Sequence, residues 1–119
     1  MARALGTHVR LTDPWFEAYF ITDGSIPGQR RRHVETLAEA QGLVLFCPCV
    51  FGRTEGAHGL IVPFTNAPEH NFGVTARDGV TRPKWTASGT NLTDLTLSPS
   101  VDVGTPSCWH GWIRGGEIT

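Results

Sequence analysis

Hydrophobic and polar positions change period several times along this chain, and each change marks a predicted element. From Thr7 to Thr12, Val9 and Leu11 alternate with His8, Arg10 and Thr12, the period of a short half-buried strand, and Asp13-Pro14 ends it. Trp15 to Ile21 is rich in aromatic and β-branched residues and reads as a second strand, stopped by Asp23-Gly24. Over residues 33–41, Val34, Leu37 and Ala38 fall on one helical face with good helix formers between them and Gly42 as the stop. That stretch predicts the one helix of the chain. Leu43-Val44-Leu45-Phe46 follows as a continuous apolar run, the pattern of a buried strand, and delivers Cys47-Pro48-Cys49 at its end.

Residues 51–56 form a polar, glycine-punctuated loop before Ala57 to Phe64 restores an apolar strand, so the two strands predict a hairpin with the cysteines and His58 near its turn. Residues 65–82 are mostly polar and turn-forming and are expected to be the most mobile or variable part. Lys84 to Ala87 reads as a strand, and Leu95 to Val101 as another that Pro99 demotes to an edge or a bend. Cys108 to Ile118 predicts a terminal hairpin turning at Arg114-Gly115-Gly116. The fold class is α+β, mainly antiparallel β with one short helix near residues 33–41, in a single domain over residues 1–119 closed by a zinc site.

Composition narrows the functions. Lys and Arg number 10 against 11 Asp and Glu, a formal charge of −1. No basic field is present to draw nucleic acid or anionic lipid. Arg30-Arg31-Arg32 is a solvated loop edge on this reading. The start lacks the apolar stretch of a signal peptide, and no run approaches the ~20 apolar residues that span a bilayer. The expectation is a protein of the bacterial cytoplasm or of a phage virion, with a protein partner and neither nucleic acid nor membrane. Three cysteines cannot all pair within one chain, and without an export signal metal thiolates fit better than a disulfide framework.

The candidate chemistry is metal ligation. Cys108 and His110 flank Trp109, and in a strand that spacing points both side chains to one face. Cys47 and Cys49 repeat the spacing, with His58 shortly after. Thiolate and imidazole together favour Zn²⁺. The five candidates, Cys47, Cys49, His58, Cys108 and His110, are one more than a tetrahedral site takes. Four protein ligands would make a closed, structural ion that crosslinks the middle of the chain to its end. Three would leave a water, for which Glu55, three residues before His58, is the candidate base. The alternative treats the cysteines as small core residues. Trp109 and Trp112 are expected to cover the metal or the core. Ser98-Pro99-Ser100 with Asp102 does not read as a nucleophile with its base.

At these residues the chain resembles a group of short phage and bacterial proteins of unassigned function that are predicted to bind metal. Some have relatives encoded beside bacterial ubiquitin-like conjugation genes, and some phage members carry the name ammonia monooxygenase. The matching features are Phe46-Cys47-Pro48, Gly56-Ala57-His58, Trp85, Leu95 through Val101, and Cys108-Trp109-His110-Gly111-Trp112-Ile113 ending in Gly116-Glu117-Ile118. Similar members often place two residues between the first cysteines, whereas here Cys49 follows after one and Val50 holds the usual place. The resemblance therefore implies Cys47, His58, Cys108 and His110 as ligands with Cys49 in reserve, and a phage or prophage gene with a hydrolase among the activities it allows. The reading is a small domain with a structural zinc, serving as a binding or assembly component. Its alternatives are a zinc-dependent hydrolase with an open site and a metal-free virion or interaction protein.

Overall fold

The computed structural model describes residues 9–23, 31–53, 55–68, 83–102 and 109–119. Its centre is an antiparallel sheet of four strands in the order β2-β1-β3-β4, made of β1 (Tyr19–Thr22), β2 (Arg32–Val34), β3 (Gly42–Phe46) and β4 (Gly59–Pro63). Register sets which face is buried. Val34, Phe20, Leu43 and Val62 are cross-strand neighbours in one row across all four strands, and all are buried. Tyr19, Val44 and Ile61 form the next row, on the opposite face, where Tyr19 and Ile61 are exposed.

Three two-stranded pairs accompany it among the described residues. They are β5 (Thr86–Ser88) with β6 (Thr96–Ser98), β7 (Val101–Asp102) with β8 (His110–Gly111), and β9 (Ile113–Arg114) with β10 (Glu117–Ile118). Leu97, Val101, Ile113 and Ile118 point from them into the same core as Phe20 and Leu43. Each such side chain removed from water contributes roughly 1.5–3 kcal/mol. Burial therefore joins short pairs that would be marginal alone.

The apolar run at residues 43–46 and the strand after His58 pair as expected, and the terminal hairpin turns at Gly115 and Gly116 with φ of 56° and 77°. A side chain at Gly116 would also collide with the Thr93 carbonyl. β6 stops at Ser98, the Ser98-Pro99 bond is cis, and β7 begins at Val101. Proline cannot donate to a ladder, so the expected bend separates two sheets. Residues 69–82 of the polar loop lie outside the described residues.

Three expectations are corrected. No α-helix forms among the described residues, and the segment predicted as a helix divides into β2 and a 3-10 turn at Leu37–Glu39. Val34 is taken by Phe20 across the sheet, and the Leu37 N–H by the Thr90 carbonyl. A nine-residue helix has too few hydrogen bonds to offset its nucleation, so tertiary pairing wins. The strand expected from Trp15 begins only at Tyr19; before it Pro14–Phe16 is a 3-10 turn capped by the Asp13 carboxylate on the Trp15 N–H. Near residues 7–12 the described part is no strand but an isolated bridge between Arg10 and Glu117, with Leu11 fully buried.

Candidate functional site

The β3–β4 hairpin gathers three of the five candidate ligands. Its last backbone bond runs from the Cys47 N–H to the His58 carbonyl, so the two residues meet across the hairpin. Between them Pro48–Val50 forms a 3-10 turn, and Phe51 stacks on Phe16 with centroids 4.8 Å apart and planes 4° from parallel. That stack fastens the turn to the core. One ligand atom each from Cys47, Cys49 and His58 lies within 4.8 Å of the others. Cys47 is fully buried, Cys49 half-buried and His58 exposed.

The imidazole is also oriented. His58 Nδ1 lies 3.2 Å from the Gly56 carbonyl, which can only accept, so Nδ1 carries the hydrogen. The lone pair is left on Nε2, 3.9 Å from Cys49 Sγ. Sulfur and nitrogen around one tetrahedral zinc stand about 3.6 Å apart. The two thiols and the imidazole, with the orienting carbonyl, could supply three of the four donors of such an ion. Cys108 lies outside the described residues, and Glu55 is an exposed loop residue that is not one of the three clustered groups.

His110 is placed elsewhere, beside a serine. Its Nε2 is 2.9 Å from Ser100 Oγ. β7 and β8 create this approach: Val101 pairs with Gly111 and Asp102 with His110. Val101 and Gly111 face inward, and Trp109 is buried with its indole N–H on the Thr119 carbonyl. Alternation then turns Ser100, Asp102 and His110 outward, onto one face. In the tautomer with its hydrogen on Nδ1, the neutral ring would accept the hydroxyl hydrogen at Nε2, as a base does from a nucleophile. His110 is exposed and Ser100 half-buried.

The pair is not evident in the sequence, since Ser98-Pro99-Ser100 with Asp102 does not read as a nucleophile with its base and the spacing of Cys108 and His110 points to metal. The available signal was the alternation of outward Ser100 and His110 with inward Val101 and Trp109. Trp112 takes no part in either cluster; it is half-buried under the Arg114 guanidinium, 3.8 Å from its ring centre.

No curated protein and no solved structure matches the chain. A family model described as "Bacterial ubiquitination-like system serine protease (BubE)" matches residues 22–119, which include both clusters. The match agrees with the expected kinship to conjugation-gene neighbours and lends nothing to a phage origin or to the ammonia monooxygenase name. The chain belongs to the BubE family, a component family of bacterial ubiquitination-like systems.

Proposed function

We propose that the protein is a serine peptidase of a bacterial ubiquitin-like conjugation system, with Ser100 as nucleophile and His110 as general base. The observation that carries this reading is the 2.9 Å approach of Ser100 Oγ to His110 Nε2 beside the β7–β8 pair, in a chain whose family is described as a serine protease. Ser100 Oγ adds to the carbonyl carbon of the scissile bond while its proton passes to His110 Nε2. The leaving amine departs with that proton, leaving an acyl group on Ser100. Water then adds to the ester, His110 takes its proton, and the carboxylate product leaves as the proton returns to Ser100. Asp102, directly across the strand pair from His110, adds negative charge on the face where the imidazolium forms. The substrate class is the C-terminal tail of a ubiquitin-like protein, as a precursor or a conjugate.

Cys47, Cys49 and His58 are proposed to supply three ligands of a zinc at the hairpin turn, whose role is structural because Glu55, the candidate base for a metal-bound water, is not one of the clustered groups. The ion supplies a crosslink, since the reacting groups belong to another strand pair, and the protein acts on a protein partner in the bacterial cytoplasm. The test is cleavage of a bacterial ubiquitin-like protein bearing a C-terminal extension. Wild type is expected to release the extension, and Ser100→Ala and His110→Gln to lose at least about 10³-fold in rate at unchanged melting temperature. Cleavage by both variants at the wild-type rate would overturn the reading.

A further inference from the structure

We infer that Trp85 is a positioning residue for the nucleophile: its buried indole N–H holds the Ser100 carbonyl oxygen and so fixes how the hydroxyl is presented to His110. The inference rests on the reading of Ser100 and His110 as nucleophile and base. The Trp85 Nε1 to Ser100 oxygen distance is 3.1 Å, and Trp85 is 7 % exposed.

Ser100 occupies a mechanically weak place. Among the described residues it belongs to no ladder: β6 ends at Ser98 in one strand pair, β7 begins at Val101 in another, and Pro99 and Ser100 form the joint between them. Val101 pins the joint on one side, being buried and paired with Gly111. On the serine's own peptide, a tether comes from Trp85. An indole has one donor and no acceptor, so its single N–H can serve only an acceptor placed in line with it, here the Ser100 carbonyl.

The indole is a stiff arm on a fixed base. Trp85 donates its backbone N–H to the Pro63 carbonyl at 2.9 Å and accepts from the Thr65 N–H at 3.0 Å, in a parallel bridge with Phe64 at the end of β4. The joint is thereby referred to the central sheet rather than to its own short strands. A carbonyl fixed next to the Ser100 Cα stops the peptide from turning and so sets the direction of the Cα–Cβ bond that carries Oγ. Small misplacements of a nucleophile cost large factors in rate, about 10²-fold for ~1 Å.

The test separates the N–H from the bulk of the ring. Position 85 is filled either by Trp85→Phe or by benzothienylalanine, which keeps the shape of tryptophan with sulfur in place of N–H. The readouts are the rate of covalent labelling of Ser100 by a fluorophosphonate, and kcat and KM for p-nitrophenyl acetate. The benzothienyl protein is expected to melt near wild type and to label about tenfold to a hundredfold more slowly, with kcat reduced and KM unchanged. Wild-type labelling in that protein would overturn the inference while leaving the Ser100 reading intact. Loss of fold in it would also overturn the inference, assigning the N–H to stability alone. Absence of a Ser100 adduct in the wild-type protein would remove the reading and the inference together.

Discussion

The hairpin turn at residues 47–58 and the strand pair that carries Ser100 and His110 are built by opposite means. In the first, three soft donors lie within a dozen residues of one hairpin, and the backbone bond from Cys47 to His58 closes the set locally. Its sulfur at Cys47 is sealed in the core, and its imidazole is aimed by a carbonyl two residues away. In the second, the hydroxyl and the imidazole meet only because β7 and β8 pair, the imidazole exposed and the serine half-buried. Donors gathered around a common point suit holding an ion; a hydroxyl against a ring nitrogen suits attacking a substrate. On the proposed reading, the difference teaches that one small chain can separate the groups that stabilise it from those that react.

That separation can be broken or sharpened experimentally. Chelation is expected to have the largest effect on stability: protein purified without a histidine tag should carry about one zinc per chain, worth roughly 2.7 kcal/mol at zinc a hundredfold above its Kd. Chelated protein kept well below its lowered melting temperature should still label at Ser100. Abolished labelling in chelated but folded protein, read by circular dichroism, would mean that the two regions are one site.

Gly111→Ala tests the other region. A methyl group there would overlap the Thr119 carbonyl and the Trp109 indole, on the residue next to His110. The expected cost is about 2 kcal/mol, with slower Ser100 labelling and an unchanged zinc content. Equal losses of zinc and labelling would erase the distinction.

Asp94→Asn should have the smallest effect and touch neither region. The Asp94 carboxylate accepts the backbone N–H groups of Asn91 and Thr90 and the Thr90 hydroxyl, which hold its pKa below the ordinary value of 3.8. A carboxylate with a lowered folded pKa stabilises above its unfolded pKa, and that contribution disappears as pH falls through the folded value. The wild type should therefore melt slightly above Asp94→Asn at neutral pH, and the gap should close on acidification below about pH 4. A gap that persists in acid would remove the charge as its cause.

The same contrast explains what the sequence made legible. β3, β4 and the terminal glycine turn could be read because each is dictated by neighbours: an apolar run, its hairpin partner, two residues of positive φ. The cysteine and histidine cluster was legible for the same reason. Val34 and Leu37 were ambiguous, since their spacing fits one helical face as well as a strand end followed by a turn, and the choice is made by Phe20 and Thr90 elsewhere in the chain. Ser100 with His110 was illegible as a pair because spacing alone does not announce that β7 will lie against β8. Only the inward Val101 and Trp109 hinted that their neighbours face out together.

The most direct test of the account is peptide mapping by mass spectrometry after reaction with a fluorophosphonate. The prediction is one adduct per chain, on Ser100, greatly slowed in His110→Gln and unaffected by prior chelation of the folded protein. An unmodified Ser100, or an adduct there that forms equally fast without His110, would contradict it.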